Sequence, residues 1–166
     1  MSFLTNKHFV IALIVAPILA VIAYFAVDRA VTEPPQQAVA GQDYPLVAAS
    51  NCRYSSGRCT MKNGNFNVTI TPEFEAANLL RLHLQSAFPV TKVSLALVPN
   101  AEANYPPLEM EQVEGDAQSW VITTTLPESE NPLLRLVVEA EGSRYFGETG
   151  LAFRDYETSY HEDFRK

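Results

Sequence analysis

The chain has 166 residues, with 12 Lys and Arg against 19 Asp and Glu and a formal net charge of −7. That length holds one well-formed core rather than two once a membrane-type segment is set aside. The acidic balance excludes a nucleic-acid surface and a polybasic lipid patch, because both need a Lys/Arg stripe that is absent.

The first predicted element is an apolar run from Phe9 to Val27 without a charged side chain. As a helix it spans roughly 28 Å, close to the ~30 Å hydrocarbon core of a bilayer. A cleavable signal has an apolar core of about 7 to 15 residues followed closely by a small-x-small site. This run is longer, and Ala38-Val39-Ala40 lies well beyond its end, past Asp28, Arg29 and Pro34-Pro35. The segment 9–27 is therefore read as a retained transmembrane helix in contact with the lipid bilayer, with 1–8 as a short cytoplasmic N-terminus. Pro17 removes one backbone donor, a defect that membrane helices accommodate. Lys7 and the α-amino group before the span favour a cytoplasmic N-terminus. In a bacterium this predicts single-pass insertion in the inner membrane with a periplasmic C-terminal domain.

After the span the chain holds eleven Lys and Arg and all nineteen Asp and Glu, a formal charge of −8. Residues 28–50 are rich in Pro, Gln and Ala and have no sustained period, which predicts a semi-extended stalk. Cys52 and Cys59 follow, separated by Arg53-Tyr54-Ser55-Ser56-Gly57-Arg58 with a turn signal at the centre. A disulfide closing this loop implies an oxidising compartment. The competing reading, a thiol metal pair, suits shorter spacings with further Cys or His ligands nearby.

Residues 51–155 alternate apolar and polar side chains with the period of a half-buried strand. The runs contain Phe66, Val68 and Ile70; Leu80, Leu82 and Leu84; Val93, Leu95 and Leu97; Leu108 and Met110; Trp120, Ile122 and Thr124; Leu134, Leu136 and Val138; and a last run from Tyr145 to Phe153. Asn63-Gly64 is read as a type I′ hairpin turn. Glu114-Gly115-Asp116 and Glu141-Gly142-Ser143 read as two more tight turns. Only Pro72 to Asn78 has the composition of a helical turn. Short strands at this spacing, without intervening helices, predict an all-β fold: an immunoglobulin-like β-sandwich of about seven strands preceded by one transmembrane helix. Trp120 is expected to anchor the core, its indole reaching a backbone carbonyl. Residues 156–166 form a polar tail.

No reaction is spelled out, and the expectation is a protein that is not an enzyme. Of the three histidines, His8 borders the span, His83 falls on the outward face of its strand, and His161 sits in the tail beside Glu162 and Asp163. General acid-base work needs a cleft as well as carboxylates. For copper, soft-ligand candidates are Met61, Met110 and His83, although two methionines on separate strands also serve as core fill.

Leu82 to Leu97 (LHLQSAFPVTKVSLAL), Gly115-Asp116 with Trp120, and Pro132 to Ala140 (PLLRLVVEA) leading to Gly142 and Tyr145-Phe146 together cover about half the chain. With the single N-terminal span, this layout resembles the FixH and YtkA-like family of membrane-anchored periplasmic β-sandwich proteins. The resemblance implies a non-enzymatic accessory role in the assembly of cbb-type haem-copper oxidases or other respiratory-complex or envelope proteins, through a membrane or periplasmic protein partner and without a cofactor. A periplasmic copper-binding chaperone is the alternative. Cys52, Cys59 and Asn63-Gly64 depart from the family pattern, and no ligand set carries over to this chain.

Overall fold

The computed structural model describes residues 7–31, 39–76 and 78–157. The chain divides into two compact units, 1–36 and 37–166. In the first, α1 runs from Lys7 to Val31 with Pro17 inside it. Its segment Lys7–Val27 has a mean hydropathy of 2.8, and by length and composition it is able to cross a membrane. The helix continues past Val27, so 28–31 belong to α1 and not to an extended stalk.

The second unit is almost entirely β. Eleven strands occur among the described residues: β1 (Asp43–Pro45), β2 (Val47–Ala48), β3 (Cys59–Asn63), β4 (Phe66–Ala76), β5 (Leu79–Ser86), β6 (Lys92–Val98), β7 (Leu108–Glu109), β8 (Glu111–Gln112), β9 (Ser119–Thr125), β10 (Leu133–Ala140) and β11 (Ser143–Gly150). They form two sheets, here called A and B. Sheet A has the order β1-β11-β10-β6-β7 and sheet B the order β2-β3-β4-β5-β9-β8. All ladders are antiparallel except β1 against β11. The count exceeds the expected seven because β1, β2, β7 and β8 have only two or three residues each. Segments that short carry no readable period.

The alternating apolar residues face a common core. Val68, Leu80 and Leu82 of sheet B and Val93, Leu134 and Val138 of sheet A belong to one buried cluster. Burial of these side chains, at about 25 cal/mol per Å² of apolar surface, is the main force holding the sheets together. Trp120 is buried, and its indole N–H donates to the Ala117 carbonyl at 3.3 Å, as expected.

Five local expectations change. The β3–β4 hairpin turns on Gly64-Asn65, not Asn63-Gly64, because Asn63 pairs with Phe66. Gly64 alone is in the positive-φ region there, the requirement of a type II′ turn. Both central residues have positive φ at Glu141-Gly142 instead, where β10 returns as β11. Pro72 to Ala76 extends β4 rather than forming a helical turn. Pairing with β3 stops at Ile70, so Pro72 stands where one side of β4 is open and a missing donor is tolerated.

Leu108 is exposed while Met110 is buried, because the chain changes sheets at Met110. Its N–H donates to Val93 of β6, and the next two residues pair with β9. Residues 39–50, assigned to the stalk, join the sheets: Tyr44 and Leu46 are buried, and Gly41 donates to the Gly142 carbonyl. The tail begins on the domain as well, since Tyr156 bridges Ser56 and Glu157 donates to the Ser55 carbonyl.

Candidate interaction surface

Cys52 and Cys59 are joined in a disulfide with their Cα atoms 4.3 Å apart. Both are buried against the core. The three soft-ligand candidates do not converge. Met61 and Met110 are core side chains, whereas His83 alternates with the inward Leu82 and Leu84 and lies on the opposite face of sheet B. There its Nε2 is 3.3 Å from Glu73 Oε2. Among the described residues, no group of three or more His, Cys, Asp and Glu side chains is arranged to hold a metal. His8 lies in α1 and His161 outside the described residues.

The outer face of sheet B is polar at its centre except for Val121, which pairs with His83 and Glu111. Thr60 and Thr69 share a hydroxyl hydrogen bond of 3.2 Å, and the Ser119 hydroxyl lies 2.5 Å from Asp116 Oδ2 and 2.7 Å from Gln85 Oε1. The Ser119 hydroxyl, followed by the Gln118 N–H, holds the Asp116 carboxyl below its ordinary value of 3.8.

The outer face of sheet A has a different chemistry. Its strand register places Pro45, Phe146 and Val137 side by side across β1, β11 and β10. Phe146 is 46% exposed and Val137 36%. These two occupy positions where the alternation of their strands calls for a polar side chain, and the neighbours along each strand are charged. On one side Arg144 donates to both carboxylate oxygens of Asp43, at 2.8 and 3.0 Å, with Lys92 and Glu109 paired at 3.3 Å farther along. On the other side Arg135 pairs with Glu148 at 2.7 Å. Arg135 also donates to the carbonyls of Ala103 and Ala101, at 2.7 and 2.6 Å, which holds the β6–β7 loop against this face. A cleft of about 450 Å³ lies over this row, lined by Pro45, Arg135, Val137, Phe146 and Glu148 among others.

An apolar centre bordered by ion pairs is the usual chemistry of a protein-binding patch. The sequence did carry a signal for it: Val137 is an apolar residue between the charged Arg135 and Glu139 in the outward set of β10. Phe146, following the inward Tyr145, is the second. Only the register shows that the two meet.

No protein-family model and no curated protein matches the chain. Among solved structures it is similar to "Crystal structure of Br derivative BhCBM56", with 11% identity, a TM-score of 0.38, and coverage of 52% of this chain and 89% of that one.

Proposed function

We propose that this protein is a single-pass, inner-membrane-anchored accessory factor of a bacterium, with its N-terminus in the cytoplasm and an immunoglobulin-like β-sandwich in the periplasm. It acts by binding a membrane or periplasmic protein partner during respiratory-complex or envelope protein assembly, and it is not an enzyme. The row Pro45, Phe146, Val137 on the outer face of sheet A carries this reading, because it is an exposed apolar strip bordered by ion pairs. The Cys52–Cys59 disulfide supports an oxidising compartment, and the span supports confinement beside other membrane proteins. The FixH and YtkA-like resemblance supplies the assembly role.

A photoreactive side chain at Val137 in the intact protein, irradiated in its native membrane, is expected to give discrete adducts. The same group at Thr123 on the outer face of sheet B is expected to give few. Equal labelling at both positions, or none at Val137, counts against the sheet A face. Adducts that persist after Phe146→Ser do the same.

A further inference from the structure

The disulfide loop concentrates charge of the opposite sign to the rest of the domain. Among the described residues of the second unit, Arg81, Lys92, Arg135, Arg144 and Arg154 are each paired with a carboxylate. The cations left without such a partner are Arg53, Arg58 and Lys62, all exposed. Two of the three flank the disulfide. Each lies one Cα–Cα step of about 3.8 Å from a bridged cysteine, and the bridged Cα atoms are 4.3 Å apart, so the Arg53 and Arg58 Cα atoms are no more than about 12 Å apart. Between them Tyr54 is 68% exposed, the most exposed aromatic of the second unit's described residues.

The loop is held in shape. The Ser56 hydroxyl lies 2.7 Å from the Asn51 carbonyl and 2.6 Å from the Arg58 carbonyl, while Gly57 donates to the Asp155 carbonyl at 3.0 Å. The Asp155 carboxylate is itself occupied by Arg154 at 3.1 Å. Two guanidinium groups and an exposed ring are thus displayed on a closed, pinned loop, where little backbone order remains to be imposed on binding.

We infer that the Cys52–Cys59 loop is a docking knob for an acidic segment of a protein partner, with Arg53 and Arg58 donating to its carboxylates and Tyr54 covering an adjacent apolar side chain. Arginine favours this use because its planar fork matches a carboxylate in two parallel hydrogen bonds. Arg and Tyr are also among the residues that dominate binding energy at interfaces. A bilayer is the weaker match: recognition of anionic lipid takes about four to eight clustered cations, whereas this loop carries Arg53 and Arg58 alone. At physiological ionic strength charges farther than about 8 Å are screened, so a short acidic peptide responds to the loop and not to the net charge. The inference rests on the domain being a protein binder, but not on the sheet A face.

The test uses the full chain in phosphatidylcholine nanodiscs and fluorescence anisotropy with a labelled peptide of four Glu, one Tyr and four Glu. Saturable binding that weakens as salt rises is expected. It should fall about tenfold or more in R53Q/R58Q, the loss of one charge-assisted contact or more, and remain unchanged in Phe146→Ser. The Gln-for-Glu peptide should not bind. Absence of binding by the wild-type chain, or an unchanged affinity in R53Q/R58Q, overturns the inference. A loss in Phe146→Ser as large as in the double variant also overturns it, as does arginine-dependent binding to phosphatidylglycerol vesicles without binding to the peptide. Because the readout does not involve crosslinking at Val137, failure here leaves the sheet A reading to be judged separately.

Discussion

At the residue scale, Gly147 shows how closely the two sheets approach. It lies on the inward side of β11, and a Cβ built there would come 2.5 Å from the Met61 methyl, 2.8 Å from the Leu46 carbonyl oxygen and 3.0 Å from the Leu46 Cβ. The Met61 tip is flexible and can turn away, whereas the Leu46 carbonyl is fixed by the backbone. Gly147→Ala is therefore expected to destabilise the domain by about 1 to 3 kcal/mol, the usual cost of overpacking. Urea unfolding should show a lower midpoint with an unchanged slope. A midpoint equal to wild type would mean that β11 and the segment after β1 are not as close as the geometry requires. The same contact settles where Met61 sits, which the sequence left open because methionine serves equally as filler and as soft ligand. Nothing in the residues around position 61 announces a glycine 86 positions later as its neighbour, so this packing was not legible. The outward side of His83 and the inward side of Trp120 were legible, since strand alternation alone fixes them.

Elements divide in the same way. Long strands were readable because each repeats its period several times: β5, β6 and β10 lie where the alternation put them. Two-residue strands were not, and the displacement of the β3–β4 turn by one residue depended on which Asn-Gly register the partner strand selected. The disulfide was readable from spacing and from the turn between its cysteines. Closing a loop of this size should stabilise the fold by about 2.5 kcal/mol in the chain-entropy model. Reduction, or the paired Cys52→Ala and Cys59→Ala substitution, is accordingly expected to lower the melting temperature by roughly 10 °C. The loss of two buried side chains adds to the effect in the substituted chain but not in the reduced one. A reduced protein that melts with the oxidised one would show that the pinning bonds from Ser56 and Gly57 hold the loop unaided.

At the scale of the whole molecule, the apolar helix and the acidic β unit pose different physical problems and were separable from composition alone. What composition did not reveal is the boundary: the helix runs on to Val31, and the β unit already begins before Asp43, so the connector is much shorter than a stalk over 28–50. A short connector matters for a weak binder. Tethering replaces a three-dimensional search with a raised effective concentration beside other membrane proteins, and this requires the helix to be retained. The intact mass of the protein recovered from membranes should therefore include residues 1–36, and alkaline carbonate should fail to release it. A mature form lacking the helix would convert the anchor into an export signal and remove the proximity on which weak association depends. Residues 37–166 expressed alone should melt at the same temperature as the domain in the full chain, because the two units are separately compact and all the sheet ladders lie within the second. If partner capture through Val137 is lost in that soluble form while its melting temperature is unchanged, the helix contributes proximity and not folding.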